Sequence, residues 1–138
     1  MVKGGCLCGA VRYEAEGEPL FALRCYCRDC QRASGSSNVP IMAVLRELFK
    51  ITGETTSFTT KGGSGHNATR NFCPICGSLL FGATEAAPDI VTLYAGTLDD
   101  PSQLRPAYIQ FSRNRPNWES QLDVPEFETG RARLSSTG

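Results

Sequence analysis

The sequence predicts an all-β fold, built as two sheets or a partly closed barrel with short helical turns, and three observations predict it. Glycine and proline interrupt the chain roughly every ten to fifteen residues. Between these breaks lie short alternating or apolar runs of strand length. Helical patterning is confined to fragments of a turn or two. At 138 residues the chain suits one hydrophobic core. Residues 1–130 read as a single domain, followed by a loose tail at 131–138.

Taken in order, Val11-Arg12-Tyr13-Glu14 alternates apolar and polar, as a half-buried strand does. Leu20 to Arg24, Val39 to Val44, Phe49 to Thr52 and Ser57 to Thr60 are the next candidates, followed by Ser78 to Phe81, Ile90 to Tyr94 and Ala107 to Ser112. Val44 to Lys50 has room for one helical turn or two. Asp99-Asp100-Pro101-Ser102-Gln103-Leu104 has the form of a capped turn with proline near its start. Gly62-Gly63-Ser64-Gly65 is the clearest flexible loop. Trp118 and Phe127 read as core or rim packing.

Composition excludes several classes of function. The 14 Lys and Arg balance the 14 Asp and Glu, which argues against a nucleic-acid surface or a basic membrane patch. No apolar run approaches the ~20 residues of a membrane helix. Met1-Val2-Lys3-Gly4-Gly5-Cys6 lacks the apolar stretch of a signal peptide, so the expected compartment is the cytoplasm. There, seven cysteines are an odd number in a reducing solvent, which disfavours disulfides.

The cysteines are grouped. Cys6 and Cys8 form C-x-C, Cys25, Cys27 and Cys30 form C-x-C-x-x-C, and Cys73 and Cys76 form C-x-x-C. Zinc favours four ligands in a tetrahedron, and thiolates are a common structural set. Cys73-Pro74-Ile75-Cys76-Gly77 presents two sulfurs from one stiffened turn, and the glycine-flanked Cys6 and Cys8 can supply the other two. Such a clip would close a long loop, where a cross-link constrains the unfolded chain most. Cys25, Cys27 and Cys30 remain as three ligands, the number found in catalytic zinc sites that keep a fourth position for water or substrate. Two zinc ions per chain are therefore expected. By spacing alone, the triad's fourth ligand could also be another cysteine or His66, and iron could replace zinc. The plainer reading of His66, beside a glycine-rich loop, is a solvated residue. Arg28 and Arg32 lie close enough in sequence to pair with a substrate carboxylate, or are simply surface arginines.

These motifs resemble a known family. Gly5-Cys6-Leu7-Cys8-Gly9-Ala10-Val11-Arg12-Tyr13 is similar to the opening of the glutathione-dependent formaldehyde-activating enzyme and centromere protein V family. Cys25-Tyr26-Cys27-Arg28-Asp29-Cys30-Gln31 and Arg70-Asn71-Phe72-Cys73-Pro74-Ile75-Cys76-Gly77-Ser78 resemble its second and third motifs. Arg115-Pro116-Asn117-Trp118 and Val124-Pro125-Glu126-Phe127 resemble its closing pattern. The match runs in order from about Gly4 to Phe127. Where the family commonly has a histidine before the late aromatic segment, this chain reads Pro106-Ala107-Tyr108-Ile109-Gln110-Phe111.

The resemblance implies an Mss4-like all-β architecture, structural zinc on Cys6, Cys8, Cys73 and Cys76, and catalytic zinc on Cys25, Cys27 and Cys30. The implied activity is that of a carbon–sulfur lyase, with glutathione adding to formaldehyde to give S-hydroxymethylglutathione. The expected partners are thus a small thiol such as glutathione and a small aldehyde. The thiol would be the triad metal's fourth ligand, with Arg28 or Arg32 offsetting the charge of four thiolates. The competing expectation is a zinc-stabilised binding module without chemistry, its second site closed by a protein ligand such as His66.

Overall fold

The computed structural model describes residues 1–120 and 122–131; the rest of the expected tail lies outside the described residues. The chain forms two sheets, as the all-β reading expects. The small one joins β1 (Val2–Gly5), β2 (Arg12–Ala15) and β5 (Phe49–Thr52), in the order β1-β2-β5. The large one holds β3 (Phe21–Cys25), β4 (Val39–Leu45), β6 (Thr56–Lys61), β7 (Asn67–Phe72), β8 (Leu79–Thr84), β9 (Ile90–Tyr94), β10 (Tyr108–Gln110) and β11 (Glu126–Phe127). Its order is β11-β10-β3-β4-β9-β8-β7-β6, open at both ends. Neighbours are antiparallel except that β10 runs parallel to both β3 and β11. Among the described residues, no helix is long and apolar enough to cross a membrane.

Strand β4 explains how the large sheet carries two cores. Its run Val39-Pro40-Ile41-Met42-Ala43-Val44 is apolar almost throughout, the pattern of a strand covered on both faces. Met42 and Val44 join Val2, Val11, Tyr13, Leu80, Val91 and Leu93 in the core between the sheets. Val39 and Ile41 turn to the other face and meet Leu23, Tyr94 and Tyr108. The first core contains Cys6 and Cys73, and the second contains Cys25 and Cys30. The two cysteine groups therefore sit on opposite faces of the large sheet.

Gly4 shows how tightly the small sheet is seated. A Cβ there would lie 2.3 Å from the Tyr13 hydroxyl and 2.4 Å from the Thr97 carbonyl oxygen. The Tyr13 hydroxyl is itself 2.7 Å from Thr97 Oγ1, which pins the small sheet to the turn following β9.

Several local expectations need correction. Val44 to Lys50 does hold one turn, the 3-10 turn at Arg46–Leu48, but the flanking residues pair in sheets as the end of β4 and the start of β5. Strands β1, β7 and β11 carry too little apolar alternation to stand out. The strand β7, Asn67-Ala68-Thr69-Arg70-Asn71-Phe72, is held by pairing on both sides rather than by its own pattern. The proline turn is as expected, with the Asp100 carboxylate accepting from Ser102 N ahead of Pro101–Gln103. Phe127 packs on the second core, whereas Trp118 is 74 % exposed.

Candidate metal centres

Four sulfurs, from Cys6, Cys8, Cys73 and Cys76, lie within 4.8 Å of one another. Cys6 and Cys8 stand in the turn after β1. The Cys6 N–H donates to Val11 O at 3.0 Å, and Gly9 closes the turn at φ 83°. Cys73 and Cys76 occupy the turn between β7 and β8. There the Cys73 N–H donates to Ser78 O and Gly77 N–H to Cys73 O, with Gly77 at φ 76°. Backbone N–H groups of Val11, Ile75 and Cys76 point at sulfur, at 3.3–3.5 Å. These donors favour thiolate. The Ser78 hydroxyl and its backbone pull Cys76 down to about 5. Ser78 Oγ also accepts from Leu7 N at 3.0 Å, tying the two turns together.

The sulfur spacing tests whether a metal fits. A tetrahedron with Zn–S bonds of ~2.3 Å places its sulfurs about 3.8 Å apart. Cys6 to Cys8 is 3.6 Å and Cys8 to Cys73 is 3.7 Å. These separations are far beyond a disulfide's ~2.05 Å, and all seven cysteines are free. The set fits zinc.

The second group is built on one strand end and one short helix. Cys25 ends β3, Cys27 caps α1 (Arg28–Ser34), and Cys30 lies in the first turn of that helix. Cys27 Sγ accepts from Cys30 N at 3.1 Å, doing the work of an N-cap oxygen. Gly35, at φ 74°, ends the helix. The three sulfurs lie within 4.8 Å of one another, and Cys30 Sγ donates to Cys25 Sγ at 3.6 Å. That spacing also suits a tetrahedral metal. Hydrogen bonds from Cys25 and Cys30 bring the Cys27 thiol down to about 3, against its burial and with help from Cys30 N–H and Arg70. The same sharing pushes Cys25 up to about 11, chiefly through Cys27, and pushes Cys30 upward through Cys25 and Cys27.

The helix is anchored by the buried Gln31. Its Nε2 donates to Ser37 O at 2.8 Å and Asn114 O at 3.1 Å, and Arg28 Nη1 donates to its Oε1. Arg28 is thus turned to a helix contact. Arg32 lies exposed on the rim of a depression of about 310 Å³ beside the helix. Two other side chains reach the sulfurs. Gln110 Nε2 in β10 donates to Cys25 Sγ at 3.5 Å, and Arg70 Nη2 in β7 donates to Cys30 Sγ at 3.7 Å. Sequence proximity drew attention to Arg28 and Arg32. Arg70 stood in view inside the third motif, and Gln110 within the segment that departs from the family pattern, but only sheet pairing shows either one's target.

Burial works against the charge of Arg70, yet Tyr94, Cys30 and Cys27 together raise its pKa. Tyr94 is pushed upward by burial, and Arg70 partly opposes that. Gly82 makes room for this tyrosine, since a Cβ there would stand 2.8 Å from its hydroxyl. His66 sits in the exposed loop between β6 and β7, its N–H on Ser64 Oγ at 3.4 Å. Among the described residues, no His, Cys, Asp or Glu joins the triad as a fourth donor.

A protein of Halomonas elongata, provisionally named a glutathione-dependent formaldehyde-activating enzyme, is 24 % identical over 86 % of this chain and 79 % of its own length. A crystal structure of a Rhodobacter sphaeroides protein has the same fold, with a TM-score of 0.58 and 22 % identity, covering 91 % of this chain and 98 % of its own. The sequence pattern of the glutathione-dependent formaldehyde-activating enzyme family matches residues 1–114, and this chain belongs to that family.

Proposed function

We propose that residues 1–130 form a single zinc domain that joins a small thiol, such as glutathione, to a small aldehyde such as formaldehyde, and catalyses the reverse carbon–sulfur cleavage. The observation that carries this reading is the contrast between the two cysteine groups. One offers four sulfurs, and the other offers three with no fourth protein donor among the described residues. Four is the count of a closed structural site and three that of a catalytic one. Cys6, Cys8, Cys73 and Cys76 would hold the first zinc and Cys25, Cys27 and Cys30 the second. Bound there, zinc supplies positive charge that keeps a neighbouring thiol deprotonated near neutral pH.

The chain's own residues do the rest. Gln110 fixes the orientation of Cys25, and the Cys30 N–H holds Cys27 as thiolate. Arg70 sets a cation beside Cys30 and offsets part of the negative charge of the sulfurs. In the addition, the thiol sulfur bonds to the carbonyl carbon and the C=O π bond opens. The thiol proton passes to the carbonyl oxygen, with no change of oxidation level. Seven free thiols suit the reducing cytoplasm as the site of action. The binding-module alternative needs a protein ligand such as His66 on the triad, and the exposed position of that side chain lends it no support.

Exchange NMR with glutathione and formaldehyde tests the reading. S-hydroxymethylglutathione should form faster than it does spontaneously, and Cys27→Ser should abolish the excess. Equal rates with and without protein would discard this substrate pair.

A further inference from the structure

Partners distinguish the arginines near the triad from those elsewhere. Arg12, Arg24 and Arg115 pair with Asp99, Glu119 and Glu126. Arg28 bonds to the amide of Gln31. Neither Arg70 nor Arg32 forms an ion pair with a carboxylate among the described residues. For Arg32, exposed to water, this needs no explanation. For Arg70 it does. Its Nε is fully buried and has no acceptor among the described residues, while Nη2 reaches only the sulfur of Cys30, at 3.7 Å. Sulfur is a weak acceptor, and a buried guanidinium donor left unmatched is costly.

Both arginines line the same depression of about 310 Å³, together with Asp29, Ala33, Phe58 and Thr60. That is at the small end of ligand-binding cavities. Two cations face one carboxylate there, a net positive lining. Thr60 adds a hydroxyl, and Phe58, 63 % exposed on the edge strand β6, adds an apolar wall that no core requires. Arg70 is the hinge of the arrangement, because the same side chain lines the depression and touches the triad.

We infer that Arg70 and Arg32 form a carboxylate-binding position beside the triad, so that the chain selects thiols that carry an acidic group within reach of their sulfur. This rests on the thiol-binding reading proposed above and adds a specificity determinant to it. A guanidinium offers a planar fork matched to a carboxylate, which a cluster of sulfurs does not use. A purely structural Arg70 would serve only the charge of Cys30, and the two roles predict different selectivity.

The test uses cobalt-substituted protein, whose sulfur-to-cobalt absorption reports a thiol arriving at the triad. Glutathione and its diethyl ester are titrated in parallel; they share one thiol, and the ester lacks the carboxylates. The wild type should bind the acid at least about 10-fold more tightly than the ester, the scale of one charge-assisted hydrogen-bonded pair. Arg70→Gln should bring the ratio to within about twofold. Arg70→Lys should keep part of the preference, since charge remains and the fork is lost. Arg32→Ala, on the exposed rim, should also lower the ratio and serves as the test should Arg70→Gln fail to fold.

Equal affinities in the wild type would overturn the carboxylate position while leaving thiol binding intact. Parallel weakening of acid and ester by Arg70→Gln would overturn it too, assigning Arg70 to the cysteines alone. A cobalt spectrum unmoved by either thiol would overturn the thiol reading itself, and this inference with it.

Discussion

The phenol of Tyr26 donates to Glu119 Oε1, joining the residue between two triad cysteines to a side chain 93 positions later. The same oxygen accepts from Arg24 Nη2 at 2.8 Å and Asn38 Nδ2 at 3.1 Å. Arg115, whose guanidinium carbon is 5.6 Å from the Tyr26 ring centroid, pairs through both nitrogens with Glu126 of β11. The segment after β10 is therefore a brace behind the triad, and Tyr26, wholly buried, is its attachment point.

Removing that attachment should loosen the triad without touching a sulfur. Glu119→Gln keeps an acceptor and removes the charge that Arg24 needs, and Tyr26→Phe removes the donor alone. Each should lower stability by about 1–3 kcal/mol, with the glutamate change the larger. Urea denaturation of the metal-loaded protein measures this, and faster metal loss from one of two sites should accompany it.

The same carboxylate has a pH signature. Burial pushes Glu119 up, but hydrogen bonds from Ser37 and Tyr26 and the charges of Arg24 and Arg115 outweigh it, leaving the group below its ordinary range. A depressed folded pKa contributes stability above the unfolded value, near 4.3, and that stability is lost as pH falls through the folded one. Wild type and Glu119→Gln should therefore differ most from about pH 5 upward and converge below about pH 4. A gap that stays constant to pH 3 would show that charge at Glu119 does not matter.

Gly4 offers a test of the seam between the sheets. Alanine there would meet the Thr97 carbonyl oxygen at 2.4 Å, a backbone atom that cannot swing aside. Gly4→Ala should cost about 1–3 kcal/mol or more through overpacking, read as a fall in melting temperature. Gly9→Ala, at a positive φ but with nothing within 4 Å of its Cβ, should cost only the backbone strain.

The sequence was most legible where chemistry is written in spacing. All seven cysteines fall into the two groups their spacing implies, because C-x-C and C-x-x-C turns place sulfurs together locally. Strands with strong apolar runs, such as β4 and β9, were equally plain. What stayed hidden depends on pairing across long separations. Arg70 reaches Cys30 only because β7 lies between β6 and β8. Gln110 reaches Cys25 through the parallel pairing of β10 with β3, where the two residues stand opposite one another. Neither α1 nor β7 carries the apolar pattern of its type. Cys27 caps the helix with sulfur in place of the usual oxygen, and Asn67–Phe72 is a strand by virtue of its neighbours.

The two metal groups should differ in what they contribute to folding. Cys73 is wholly buried in the core between the sheets, whereas Cys27 is only half-buried at the start of a seven-residue helix. Structural zinc is worth roughly 10 kcal/mol or more in small peptides, comparable to the ~5–15 kcal/mol that holds a domain folded. Cys73→Ser should abolish soluble expression or sharply lower the melting temperature. Cys27→Ser should leave a folded protein with one zinc in place of two by elemental analysis. Equal damage from both would make the triad structural as well.

Gln110 separates the two centres most cleanly, because it touches the triad and lies on the face away from the other cysteine group. Its Nε2 donates to Cys25 Sγ, so it stabilises the deprotonated sulfur and fixes its direction. Gln110→Glu replaces that donor with a negative charge at nearly the same volume. Loss of such a supporting contact typically lowers metal affinity about 10–100-fold, and the added repulsion should carry this change to the upper end. Competition with a chromogenic chelator should resolve one zinc that leaves early and one that is unchanged from wild type. Gln110→Leu, lacking both donor and charge, should fall between wild type and Gln110→Glu. If the two zinc ions instead weakened together, the faces of the large sheet would be coupled and the assignment of separate roles to the two groups would fail. An early loss confined to one zinc would place the supporting role of Gln110 at the triad, where β3 and β10 meet.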